Sequence, residues 1–121
     1  MKGLFVDDFP AIKIVIGWKQ KTLTPIMVLD TGFNGDLQIT PAMAQQLELE
    51  IAGQIKSKIA SGQNVEFPMA YAISAFENSS EYVDVLISDN PPLIGMGFLK
   101  KFGCKAIIDC KNKNFILKKS K

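Results

Sequence analysis

The chain has 121 residues, 47% hydrophobic and 21% charged, with a net charge of +2, which is enough for one domain whose modest core needs neither metal nor disulfide staples. All fourteen basic residues are lysines; without arginine there is no bidentate reading of guanine or phosphate, and the small net charge also argues against nucleic acid as a partner. Histidine is absent, which excludes a Ser-His-Asp triad, a Cys-His pair and the usual histidine-containing zinc sites, and leaves acid–base chemistry to carboxylates, lysines, tyrosines and two cysteines.

The opening MKGLFVDDFP lacks the long apolar stretch of a signal peptide, and no apolar run nears the ~18 residues of a membrane span. No membrane contact and a cytoplasmic location are therefore expected. Ala11 to Gly17 alternates Ile12, Ile14 and Ile16 with other residues, a period of two that reads as a strand. Trp18 to Lys21 reads as a polar turn, and Thr22 to Leu29 as a second strand running into Asp30-Thr31-Gly32. After a short extended piece at Leu37-Gln38-Ile39, Thr40-Pro41 supplies a helix N-cap and a proline at the first helical position. The spacing predicts a helix of two to three turns over 41–49. Ile51 to Tyr71 reads as a long hairpin turning at residues 61–64, and Glu81 to Ser88 as a further strand. Asp89 to Pro92 punctuates the chain before Leu93-Ile94-Gly95, and Gly97 to Phe102 forms a short helix ended by Gly103. Lys105 to Cys110 and Phe115 to Leu117 close as a hairpin around residues 111–114, leaving 118–121 as a solubilising basic tail. Cys104 and Cys110 on one strand would sit roughly 20 Å apart, beyond disulfide reach, and read as buried reduced thiols of a reducing compartment. Many short strands, two short helices and no internal repeat give a mostly β fold, a closed or partly open barrel in one domain over 1–121, its core at about 12–117.

Asp30 is where chemistry concentrates. An aspartate ending a buried strand is unfavourable unless its carboxylate is hydrogen-bonded or shares a proton, and the glycine after Thr31 lets backbone N–H groups reach that carboxylate. A plainer role is open too: Asp30 as the cap of the Gly32-Phe33-Asn34-Gly35 turn. Asp7, Asp8 and Asp36 recur at no ligand spacing, so neither a metal nor another cofactor is expected; Asp36 reads as a turn residue or a wall of a groove. Met96 and Phe98 read as core, and Lys111 and Lys113 as a hairpin tip.

Leu93-Ile94-Gly95 follows Asp30 by 63 residues and leads into a short helix and a last strand, with a hairpin between the two motifs. In this order of apolar strand, Asp-Thr-Gly, hairpin, apolar-apolar-Gly, short helix and final strand the chain resembles the single-domain aspartic proteases, the retropepsins and their bacterial relatives, over roughly residues 12–117. The resemblance implies a retropepsin-like β-barrel and an aspartic endopeptidase in which two aspartates share a proton, one activating a water and the other polarising the scissile carbonyl. With one Asp-Thr-Gly per chain, it implies a homodimer whose Asp30 carboxylates meet across a two-fold axis. Asp30, Thr31 and Gly32 would form the catalytic loop, Thr31 bonding across the axis and Gly32 admitting the substrate backbone. A peptide or protein substrate would lie against Phe33, Asn34, Leu93, Ile94 and Gly95, under a flap whose tip includes Ile59, Ala60, Ser61 and Gly62; an ordinary surface turn would use the same Ser-Gly-Gln-Asn residues.

This chain departs from the viral pattern in three ways. Phe33 stands where alanine or serine is usual, and would fill a subsite or tuck into the core. Met96-Gly97 follows Gly95 where the viral enzymes carry an arginine and a polar residue, so their ion pair is expected to be missing. The flap has one glycine. A retropepsin-fold dimer that binds peptides or proteins without cleaving them is the alternative these departures favour.

Overall fold

The apolar stretch that reads as two strands folds as four, because it bends at Ile14 and again at Thr24-Pro25. A first strand, β1 (Leu4–Val6), leads into β2 (Phe9–Lys13), β3 (Val15–Trp18), β4 (Lys21–Leu23) and β5 (Ile26–Leu29). Pro25 has no N–H to give to a ladder; its carbonyl accepts the Ile14 N–H at 3.1 Å, tying the two bends together. The computed structural model describes residues 1–59 and 61–121. Beyond β5 come β6 (Leu37–Ile39), α1 (Pro41–Gln46), β7 (Ile51–Lys58), β8 (Asn64–Phe76), β9 (Ser79–Ile87), β10 (Leu93–Ile94), α2 (Met96–Phe102), β11 (Cys104–Asp109) and β12 (Asn114–Lys119).

Among the described residues, ten strands form one sheet in the order β1-β2-β5-β10-β6-β9-β8-β3-β4, with β7 on β8. β2 and β3 are consecutive in the chain yet stand near opposite ends of that path, so the sheet has to curl back on itself. The curl encloses the core: Ile12, Ile14, Ile16, Met27, Leu37 and Ile39 are at most 1% exposed, the inward half of the period-two pattern. Phe76, Phe98 and Phe102 fill one end, with the rings of Phe98 and Phe102 4.5 Å apart and Phe76 edge-on to both. The mostly β barrel expected from the sequence is the fold observed.

A cap fixes the start of α1 and another the end of α2. The Thr40 hydroxyl accepts the Met43 N–H at 3.2 Å, and Pro41 opens α1. That helix stops earlier than the expected 41–49, because Leu47 caps it and Glu48 takes a positive φ of 54°. Gly103, at φ 61°, ends α2 in the left-handed conformation that favours glycine.

β8 explains the long hairpin. From Met69 onward it pairs with β9, while Asn64–Pro68 pairs with β7 alone, so the distal half of the hairpin projects as a two-stranded arm. At the other end of the chain, β11 and β12 form their own ladder, and Gly3 and Leu117 bond the Phe115 and Met1 carbonyls at 2.7 and 2.9 Å. β12 includes Lys118 and Lys119, and the Lys119 ammonium donates to the Ser79 hydroxyl; the basic tail expected at 118–121 is thus half strand. The thiols also differ from expectation: Cys104 is half-buried and Cys110 exposed. The reason is that β11 ends at Asp109, whose carboxylate captures the Asn112 N–H at 3.1 Å and turns the chain before Cys110. Among the described residues, no helix is long and apolar enough to cross a membrane.

Candidate active site

The two short motifs singled out in the sequence become neighbours through β10. This strand lies parallel to β5, with Leu93 opposite Val28 and Ile94 opposite Leu29, and antiparallel to β6, with Leu93 opposite Gln38 and Ile94 opposite Leu37. The Asp30 N–H donates to the Ile94 carbonyl at 3.0 Å, so Asp-Thr-Gly leaves the sheet beside Leu-Ile-Gly. The loop beyond is bonded to itself and to the start of α2. Phe33 N–H reaches the Asp30 carbonyl at 3.1 Å, Met96 N–H the Phe33 carbonyl at 2.8 Å, and Gly97 N–H the Gly35 carbonyl at 3.0 Å.

Asp30 is half-buried, and its Oδ1 accepts the Gly32 N–H at 2.9 Å. Among the described residues, none donates to its other oxygen. Asp30 lines a pocket of about 300 Å³ together with Gly32, Phe33, Ile59 and Leu93, under the arm residues Ser57, Lys58 and Phe67. Beyond Phe33 the cleft continues as a groove of about 330 Å³ between the loop from Gly32 to Leu37 and arm residues Ile55 to Lys58. On the third side an apolar hollow joins Asp30 to Val28, Leu93 and Phe9, the last 59% exposed. Among the described residues, no group of three acidic or cysteine side chains gathers as a metal site would require.

The residues expected to act here divide into three sets. Asp30, Gly32, Phe33, Ile59 and Leu93 share the pocket, and Asn34 lines the groove beside it. Thr31, Ser61 and Gly62 are exposed, the last two at the arm's tip, where Gly62 has φ 87°; Ala60 lies outside the described residues. Ile94 and Gly95 do not face the cleft, contrary to expectation. Ile94 is 0% exposed in the core, and Gly95 lies beneath the Phe33 ring, where an added Cβ would stand 2.5 Å from Cδ2. Their contribution is the backbone that holds the Asp30 loop.

Asp36 borders the groove, as one of its two expected roles had it, but its carboxylate is buried and paired. It is 6% exposed, and its Oδ2 accepts the Asp84 N–H at 2.9 Å and the Lys101 ammonium at 2.8 Å. An ion pair therefore stands where α2 meets the loop, made without the arginine of the viral pattern. Its cation comes from the last turn of α2, and Gly97 leaves the room: a Cβ there would lie 2.5 Å from Asp36 Oδ1. Sequence reasoning also passed over Gln38, Phe67, Asn90 and Pro91, which complete the pocket. Gln38 carried a signal, a polar residue inside an apolar triplet; it is 7% exposed and donates to the Pro91 carbonyl at 3.0 Å.

No protein-family model and no curated protein matches this chain in sequence. Solved structures do match it. The EIAV protease complexed with the inhibitor HBY-793 is similar at a TM-score of 0.62 and 20% identity, over 85% of this chain and 96% of that one. A retropepsin-like aspartic protease from Rickettsia conorii is similar at a TM-score of 0.66 and 16% identity, over 97% of this chain and 88% of that one. At these identities the likeness establishes the retropepsin-like aspartic protease fold.

Proposed function

We propose that this chain is an aspartic endopeptidase that cleaves peptide or protein substrates as a homodimer, with Asp30 of each subunit forming the catalytic pair. The observation that carries the reading is the placement of Asp30: half-buried at the mouth of a cleft, one carboxylate oxygen tied to Gly32 N–H, on a loop braced by β10. Two such carboxylates brought together do not both ionise; the charged one takes a proton from water, and the protonated one donates to the substrate carbonyl. A single chain supplies one such loop, so the second has to come from another copy. The exposure of Thr31 and Gly32 and of the apolar Phe9 beside them is consistent with a partner at this face. The arm carrying Ile59, Ser61 and Gly62 would cover the bound peptide. A single domain and a cytoplasmic location belong to the same reading, the latter supported by two free cysteines.

The test is Asp30→Asn on purified protein, read by cleavage of a proteome-derived peptide library and by sedimentation. The expected result is a folded dimer that leaves the library intact while the unsubstituted chain cuts it. Equal cleavage by both proteins rules the mechanism out. The ring of Phe33 on the cleft floor favours a second reading, a dimer that binds peptides without hydrolysis; peptide capture by the unsubstituted chain without any cut product would establish it.

A further inference from the structure

Phe33 is held at both ends by the loop's own hydrogen bonds, its N–H on the Asp30 carbonyl at 3.1 Å and its carbonyl on the Met96 N–H at 2.8 Å. Its half-buried ring lies on two glycines. A Cβ on Gly35 would stand 2.6 Å from Cζ, and one on Gly95 would stand 2.5 Å from Cδ2 and 2.3 Å from the Gly35 carbonyl oxygen. Neither glycine has a positive φ, so close approach, of the ring and of the Gly35 carbonyl, is what demands glycine at these places. The ring is seated among atoms that leave it no deeper position. It also borders two spaces at once, the pocket of about 300 Å³ that contains Asp30 and the groove of about 330 Å³ that contains Asp84 and Ile55.

We infer that Phe33 is the specificity-determining residue of this cleft, a ring fixed on Gly35 and Gly95 that divides the floor beside Asp30 and restricts the substrate side chain above it to small size. The inference rests on the reading of the cleft as a peptide site. In an extended peptide, neighbouring side chains leave on opposite sides about every 3.3 Å. A side chain that points down between the two spaces meets the ring, whereas its neighbours have open volume. On one side that volume is bordered by Leu93, Ile59 and Phe67. On the other, Ile55, Leu86, Lys56 and Asp84 border it, and Lys58 stands over both, so either space takes a side chain of mixed character. With alanine at position 33 the two spaces become one, and the cleft gains room for an aromatic group.

The test uses Phe33→Ala and Phe33→Leu, each made with Asp30 intact and with Asp30→Asn. In the Asp30→Asn proteins, binding of indole followed by NMR reads the floor without any cleavage. An apolar hole the size of a ring takes up aromatic molecules, so Phe33→Ala is expected to bind indole at the Asp30 loop at least about tenfold more tightly than the protein that keeps Phe33. With Asp30 intact, cleavage of a proteome-derived peptide library is expected to show one position near the cut restricted to glycine, alanine or serine. In Phe33→Ala that position shifts toward phenylalanine, tyrosine and leucine by about tenfold or more in relative kcat/KM; in Phe33→Leu it shifts toward valine and leucine only. Identical indole binding with and without Phe33 overturns the inference, as does an unchanged preference in both variants. If Phe33→Ala does not fold, Phe33→Leu decides alone, and an unaltered preference or unaltered indole binding overturns it. If the intact chain cuts nothing but Phe33→Ala gains the indole site, the peptidase reading falls and the dividing role of Phe33 stands.

Discussion

The Lys101 ammonium stands 2.8 Å from Asp36 Oδ2 and 2.9 Å from the Tyr82 carbonyl, so one side chain joins α2, the loop that follows Asp30, and β9. The carboxylate is the more deeply placed partner, 8% exposed against 34% for the lysine side chain. Removing the cation strands a buried charge that, among the described residues, keeps the Asp84 N–H as its one remaining hydrogen-bond partner. Losing one partner of such a pair is more harmful than the pair is stabilising. Lys101→Met is therefore expected to lower stability by about 1–3 kcal/mol, less than a fully enclosed pair because water reaches the lysine. Urea denaturation checks it: the midpoint should fall with the slope unchanged. A midpoint equal to that of the unsubstituted chain would show that the pair is solvated surface.

Gly97→Ala has an expected sign opposite to helix propensity. In an exposed helix, glycine to alanine stabilises by roughly 0.5–1 kcal/mol. Here the new methyl would stand 2.5 Å from Asp36 Oδ1 and 2.8 Å from the Asn34 carbonyl oxygen, and the second of these is backbone held by the loop's bonds to α2. A loss of about 1–3 kcal/mol is expected, as for other overpacked sites. Thermal unfolding reads it directly, and a rise in Tm would show that the loop yields at no cost.

The residues themselves explain why some of this was legible in advance and some was not. The period-two isoleucines, the Thr40-Pro41 cap and Gly103 each act locally, so the strands and helix ends they specify follow from short-range chemistry. Asp-Thr-Gly and Leu-Ile-Gly were visible as motifs, and their adjacency followed from the resemblance; the β5-β10-β6 register that creates it is a long-range pairing. Pro25 was in plain view, but nothing in the sequence says that its carbonyl pairs with Ile14 and splits one strand into two. The partnership of Asp36 with Lys101 spans 65 positions, and no local pattern joins an acid in a loop to a lysine in the last turn of a distant helix. Ile94 and Gly95 were assigned to substrate because their motif was read as a unit; burial separates the motif into Leu93, which faces the pocket, and two residues that support it.

The two thiols should differ in reactivity. Burial holds the Cys104 thiol above its ordinary pKa, with the nearby Glu77 acting in the same direction, whereas Cys110 is exposed in the turn after β11. The thiolate is the nucleophile, so iodoacetamide at mildly alkaline pH is expected to label Cys110 first, with Cys104 slower by about tenfold. The sign of the pH effect on stability follows from the same shift. The folded state retains the Cys104 proton more firmly than the unfolded state, so its contribution is complete below the ordinary thiol range and is lost as pH rises through the higher folded value. Comparing the unsubstituted chain with Cys104→Ala between pH 8 and pH 10 isolates this contribution, and the gap between them should narrow with rising pH. Equal labelling of both cysteines in the folded protein would contradict the burial of Cys104.

Gln38 and Pro91 connect the floor of the cleft to its wall. The Gln38 amide, 7% exposed, donates to the Pro91 carbonyl at 3.0 Å, and both residues line the pocket that contains Asp30. In Gln38→Leu the new side chain lines the pocket beside Leu93 and Phe67, and the Pro91 carbonyl, in an exposed segment, takes a water instead. Stability should therefore change by less than about 1 kcal/mol, the net contribution of one such bond. The wall from Asn90 to Pro91, however, keeps its bonds to Ser88 but loses the one that holds the Pro91 carbonyl to the floor, and on the proposed function a bound peptide has to restrain it. In the Asp30→Asn background, titration with a peptide that the intact chain cuts should show affinity weakened several-fold by Gln38→Leu, with the urea midpoint nearly constant. A matching loss of stability and affinity would mean that Gln38 serves the fold alone, whereas unchanged affinity would mean that the Pro91 wall is set by its own two prolines.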